Sequence, residues 1–112
     1  MQLEKMQLEK TEVFEIKSDS MEDELRHAIC KSDIVICEEV LRECWESKLH
    51  TKKPFVIIHP ATGIICKEVL SYDQDRNTIL CHSFNPAYED FELNLSEVER
   101  LYRVKEVRIE VA

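Results

Sequence analysis

Hydrophobic residues recur along this chain in short, strand-length groups rather than at the 3.6-residue spacing of an amphipathic helix. Phe55-Val56-Ile57-Ile58-His59 is apolar and rich in β-branched residues, and Pro60-Ala61-Thr62-Gly63 supplies a turn into a second run from Ile64 to Tyr72. Asp73 to Asn77 is a polar turn and Thr78 to His82 its returning strand, so the middle of the chain reads as an antiparallel meander. Before it, Thr11 to Lys17 alternates, with Val13 apart from Phe14 and Ile16, and Ile34 to Cys37 is a short apolar strand. After it come a short strand from Phe91 to Leu95, one helical turn over Ser96 to Glu99, and a last strand from Leu101 to Val111 that sets Val107, Ile109 and Val111 on one face. The predicted class is mostly β: twisted antiparallel sheets of six or seven short strands with one or two short helical turns.

The segments between these strands predict little regular structure. Residues 1–10 repeat Met-Gln-Leu-Glu-Lys twice without an apolar stripe, which predicts a flexible arm or a linker remnant ahead of a single domain over 11–112. From Ser18 to Ile29 the one local signal is a helical turn over Met21 to Leu25, begun by Asp19 or Ser20 as its cap. Val40 to Lys53 reads as a polar, irregular loop with Trp45 packed over the sheet and a small basic cluster of Lys48, His50, Lys52 and Lys53.

Composition narrows the function classes. At 112 residues the chain holds one core and no second independent one. A net charge of -8 repels a phosphate backbone, so direct nucleic-acid binding is not expected. No apolar run approaches the roughly 20 residues that cross a bilayer. Without a secretory leader pattern, the cytoplasm is the expected compartment. Five cysteines at 30, 37, 44, 66 and 81 form no C-x-x-C pair and read as reduced, small hydrophobes. The four histidines lack ligand spacing, so neither a metal nor another cofactor is expected.

Two residues carry the candidate chemistry. Ser20 sits in a turn after the first strand, in Ser18-Asp19-Ser20-Met21. A serine hydroxyl attacks an amide only when a base removes its proton as the bond forms. Lys67 interrupts the apolar run Ile64-Ile65-Cys66-Lys67-Glu68-Val69-Leu70, sharing a strand face with Ile65 and Val69. A lysine acts as a base only when neutral, and a dry setting favours that form because burial penalises the charge. The plainer readings are a capping serine and a lysine that carries its ammonium out to solvent.

Taken in order, four segments resemble the LexA-like serine/lysine autopeptidase domain, a family that includes phage-type repressors and UmuD-like proteins. Ser18-Asp19-Ser20-Met21 is similar to its Gly-x-Ser-Met nucleophile motif, and Ser32-Asp33-Ile34-Val35 to its Gly-Asp segment. Ile64-Ile65-Cys66-Lys67-Glu68 is similar to the strand carrying its base, with Glu in place of Arg. Ser83-Phe84-Asn85-Pro86-Ala87-Tyr88 is similar to its Ser-x-Asn-Pro-x-Tyr loop. The resemblance implies a C-terminal peptidase-like domain of a transcriptional regulator, or a stand-alone UmuD-like protein. In it Ser20 is the nucleophile, Lys67 the base, the backbone N–H groups of Ser20 and Asp19 the oxyanion donors, and a homodimer the working state.

Both motif glycines are serine here, Ser18 and Ser32, so turns that favour glycine must tolerate a side chain. The family's Ala-Gly or Cys-Gly self-cleavage bond has no counterpart upstream of Ser20, since the one glycine, Gly63, follows Thr62. The family's upstream helix-turn-helix domain has no counterpart in these residues. A catalytically inactive dimerisation module is therefore the alternative. A relation to signal peptidases is less consistent, because Glu22-Asp23 follows Met21 where those enzymes carry a proline two residues after the methionine.

Overall fold

The computed structural model describes residues 10–23 and 29–108. Seven antiparallel strands form one sheet: β1 (Thr11–Glu15), β2 (Ile34–Glu39), β3 (Pro54–His59), β4 (Gly63–Asp73), β5 (Thr78–His82), β6 (Phe91–Asn94) and β7 (Arg100–Arg108). Their order across the sheet is β1-β2-β7-β3-β4-β5-β6. The expected meander is β3 to β5, each strand pairing with the next, and β6 extends it by pairing with β5. There is one sheet rather than several because β7 returns between β2 and β3 and hydrogen-bonds to both.

β3 explains why the sheet is covered on both faces. Its run Phe55-Val56-Ile57-Ile58 is apolar at consecutive positions, so it has no solvent side. Phe55 and Ile57 join a core with Trp45, Leu49, Val69, Ile79, Cys81 and Leu101. Val56 joins the opposite core with Ile16, Met21, Ile29, Val35, Cys37 and Tyr102, against which Ile58, Phe14 and Cys66 also pack. The Phe14 and Tyr102 rings meet edge to face, with centroids 5.1 Å apart.

Two turns show how the chain manages its missing glycines. Gly63 takes φ +71° in the turn from β3 to β4, a conformation in which a Cβ is strained. Ser32 takes φ +79°, so the position where the resemblance expects glycine does adopt the left-handed backbone. Asp33 compensates locally. Its buried carboxylate accepts from the Cys30 N–H at 2.8 Å, while the Ile16 N–H donates to the Asp33 carbonyl and the Ser32 N–H to the Ile16 carbonyl. These bonds tie the end of β1 to the start of β2 on either side of the serine turn.

Four expectations need revision or fall elsewhere. The segment from Val40 to Lys53 is not an irregular loop: α1 (Trp45–Lys48) is flanked by 3-10 turns at Arg42–Cys44 and Leu49–Thr51. Trp45 and Leu49, four residues apart, both reach the core, and Trp45 Nε1 donates to the Val40 carbonyl at 2.8 Å. Two apolar anchors hold the turn down yet are too few to write a helical periodicity. The arm over 1–9, the end of the helical turn over Met21 to Leu25, and Ile109 and Val111 lie outside the described residues. Of the last apolar face, Val107 is 38% exposed.

Candidate functional site

The serine turn begins where β1 ends. Glu15 pairs with Ile34, and Ile16 then turns inward to the core, which sends Ser18 to Met21 across the sheet's margin. The Glu22 N–H donates to the Asp19 carbonyl at 3.0 Å, closing the turn, and Met21 is fully buried beneath it. Ser20 is only 5% exposed. A capping serine on a surface turn has no reason to be this dry.

Lys67 reaches the same place from another element. β4 pairs with β3 from Gly63 to Glu68, but its pairing with β5 begins only at Glu68, opposite His82. Among the described residues, no strand pairs with the other edge of Gly63 to Lys67. A cavity of about 310 Å³ lies there, lined by Phe14, Ile16, Met21, Ile64 and Cys66 together with Ser20 and Lys67. Alternation sets Lys67 on the Phe55, Ile65 and Val69 side of β4, as expected, whereas Met21 packs in the opposite core. The cavity takes residues from both sides of β4 because it abuts the strand's open edge. Ser20 and Lys67, 47 residues apart in sequence, are brought together on it.

Lys67 is not a solvent-seeking lysine. It is 6% exposed, and its Nζ donates to the hydroxyl of Ser83, itself 1% exposed, at 2.9 Å. Burial pushes its ammonium below the ordinary lysine value. The titratable neighbours that would oppose this are the thiols of Cys66 and Cys81, and only as thiolates. Burial pushes both up to about 12, so near neutral pH neither thiol offers the ammonium a negative charge.

A loop after β5 fastens the serine turn to this lysine. The Asn85 N–H donates to the Ser20 carbonyl at 2.9 Å, and Asn85 Nδ2 donates to the Asp19 carbonyl at 3.1 Å. The Tyr88 hydroxyl donates to the Asp19 carboxylate, and the Tyr88 ring centroid lies 5.4 Å from Lys67 Nζ, within cation-π range. Hydrogen bonding to Asp19 raises the Tyr88 phenol above its ordinary value, against a weaker opposing hydrogen bond with Ser18. One aromatic side chain therefore touches both halves of the site.

The proposed oxyanion donors are placed less simply. The Ser20 N–H is engaged by the Ser18 hydroxyl at 3.1 Å. The Asp19 carbonyl and carboxylate are both used as acceptors within the turn and from the 83–88 loop. Among the described residues, no group of three or more His, Cys, Asp or Glu side chains is placed to hold a metal. No helix there is long and apolar enough to cross a membrane.

Sequence reasoning named Ser20, Lys67 and Asp19 but gave no role to Ser83, Ser18, Asn85 or Tyr88. What brings Ser83 to Lys67 is the hairpin register. Asp73 pairs with Thr78 and Ser71 with Leu80, a register that, continued, sets Phe84 opposite Lys67. An irregularity between Val69 and Ser71 shifts the ladder by one residue, so that Glu68 faces His82 and the same register, continued past the ladder's end, sets Ser83 opposite Lys67.

No family model matches the chain, and a comparison with curated proteins finds no relative.

Proposed function

We propose that this chain is a LexA-like peptidase domain, the C-terminal part of a transcriptional regulator or a UmuD-like protein, working in the cytoplasm as a homodimer. The observation that carries this reading is the shared cavity: a buried serine and a buried, charge-disfavoured lysine open onto one apolar recess. A solvated surface pair would offer neither a neutral amine nor a dry place for a peptide bond.

The chemistry follows from these groups. Neutral Lys67 Nζ takes the Ser20 hydroxyl proton as Ser20 Oγ bonds to a peptide carbonyl carbon, and the carbonyl oxygen becomes an oxyanion. The resulting ammonium returns that proton to the departing amine as the C–N bond breaks, leaving an ester on Ser20. A water attacks that ester by the same route, with Lys67 again taking the proton. Ser83 holds Nζ at a fixed place throughout, and Asn85 and Tyr88 hold the turn that carries Ser20. The apolar lining from Phe14, Ile16, Met21, Ile64 and Cys66 fits a short, apolar stretch of extended chain.

The alternative, an inactive assembly module, draws on one observation: the Ser18 hydroxyl occupies the Ser20 N–H. The two readings part in a single assay. Extended peptides containing Ala-Gly and Cys-Gly bonds are incubated with the chain between pH 7 and pH 10 and read by mass spectrometry. Cleavage that rises with pH as Lys67 loses its proton, and is absent from Ser20→Ala and Lys67→Ala, supports the peptidase. Intact peptides at pH 10 favour the inactive module.

A further inference from the structure

Ser18 stands where the resembling motif carries glycine, and its hydroxyl is not idle. It accepts the Ser20 N–H at 3.1 Å and also contacts the Tyr88 hydroxyl, while its own residue lines the cavity shared by Ser20 and Lys67. The conformation there does not require glycine: Ser32, and not Ser18, is the serine with positive φ. A serine at 18 therefore adds a polar contact without adding backbone strain.

The N–H of the attacking serine is the group an oxyanion on that serine would draw on. An N–H already bonded to a hydroxyl gives up that bond before it can serve an oxyanion, and the net gain from the exchange is correspondingly smaller. From this geometry we propose that Ser18 is a built-in latch, a positioning residue whose hydroxyl occupies the Ser20 amide and keeps the site in a resting state until a substrate carbonyl displaces it. The inference rests on the Ser20 and Lys67 reading and names how that site is restrained. Beside the latch, the Tyr88 hydroxyl donates to the Asp19 carboxylate.

The probe is a short peptide boronic acid with a terminal boro-alanine, a small apolar residue suited to the recess. Its boron accepts the Ser20 oxygen in a reversible bond as the serine O–H bond breaks and its proton passes to Lys67, and no group leaves the boron. The tetrahedral boronate oxygen then sits where an oxyanion would, so affinity reads the availability of the Ser20 N–H directly. Ser18→Ala and Ser18→Gly are expected to tighten boronate binding by about tenfold, the scale of one exchanged hydrogen bond. Ser18→Thr, which keeps a hydroxyl, is expected to bind like the unsubstituted chain. The midpoint of the pH profile of binding should stay the same in all of them, because Lys67 is untouched.

Amide hydrogen exchange gives a readout that needs no chemistry at Ser20. The Ser20 N–H should exchange faster in Ser18→Ala than in the unsubstituted chain or in Ser18→Thr. Equal boronate affinity in Ser18→Ala and the unsubstituted chain, or equal Ser20 exchange, overturns the latch and leaves the serine/lysine pair standing. Failure of every form to bind boronate, with Ser20→Ala indistinguishable from the rest, overturns the pair and the latch together.

Discussion

Lys67 Nζ and Ser83 Oγ are 2.9 Å apart because the ladder between β4 and β5 slips by one residue at Leu70. Without that slip the residue opposite Lys67 is Phe84, whose side chain carries no hydrogen-bonding group. A local irregularity in a hairpin thus decides what the buried amine is bonded to.

Ser83→Ala removes that partner while leaving the strand intact. With Lys67 as the proposed base, peptide cleavage is expected to fall by about ten- to a hundredfold, with a smaller effect on substrate binding, because a misplaced base costs chiefly in the chemical step. Steady-state kinetics on Ser83→Ala and on Ser83→Thr, which keeps the hydroxyl, check this. Thr should recover most of the rate.

Lys67→Met replaces a buried ammonium by a side chain of similar length with no charge. The folded-state pKa of Lys67 is lowered by burial, so the unfolded chain holds this proton more tightly than the native one. The lysine therefore costs stability wherever it is charged in both states, below its folded pKa. That cost shrinks as pH rises through the folded value toward the ordinary value of about 10.4. Lys67→Met is expected to be more stable than the parent by about 1–2 kcal/mol at pH 7, with a smaller difference at pH 10, and to be inactive. Urea denaturation at the two pH values measures both.

Ser32→Gly relieves a left-handed serine. The native φ of +79° is free to glycine, and the gain is expected to be about 0.5–1 kcal/mol after the extra freedom of the unfolded chain is counted. Thermal unfolding shows it as a higher Tm, with peptide cleavage unchanged.

Asn85→Ala cuts the loop from the serine turn. Three bonds of the side chain and its own turn are touched: Nδ2 to the Asp19 carbonyl, Oδ1 from the Ala87 N–H, and the backbone geometry that brings the Asn85 N–H to the Ser20 carbonyl. A loss of about 1–2 kcal/mol is expected. Cleavage should fall further than stability, because the turn that positions Ser20 is what loosens. Comparing kcat with Tm in this variant tests that order.

The strands were legible because each is marked at both ends. Thr78 to His82 stands as read, between the polar turn at Asp73 to Asn77 and the Ser-Phe-Asn-Pro loop, and β3 and β4 differ from expectation by about one residue at their ends. What sequence left dark depends on relationships without local cause. The slip at Leu70 is invisible to alternation, so Ser83 had no reason to be paired with Lys67. The turn at Ser18 to Met21 shows its composition but not which hydroxyl bonds which amide. The helical turn at Trp45 forms because its aromatic ring has a place to dock, and that place is built from β3, β4 and β7.

β3 has no side that water reaches at Phe55 to Ile57, and that sets how the molecule can be altered. It works as a party wall: the rooms on either side share the partition but not their furniture. Residues around Trp45 and Leu49 can be exchanged for others of like volume, and the penalty is felt in how firmly the protein holds together. The Phe14, Ile16 and Met21 wall of the recess lies beyond that partition, whereas Lys67 shares the side of Trp45 and Leu49 and feels what is changed there.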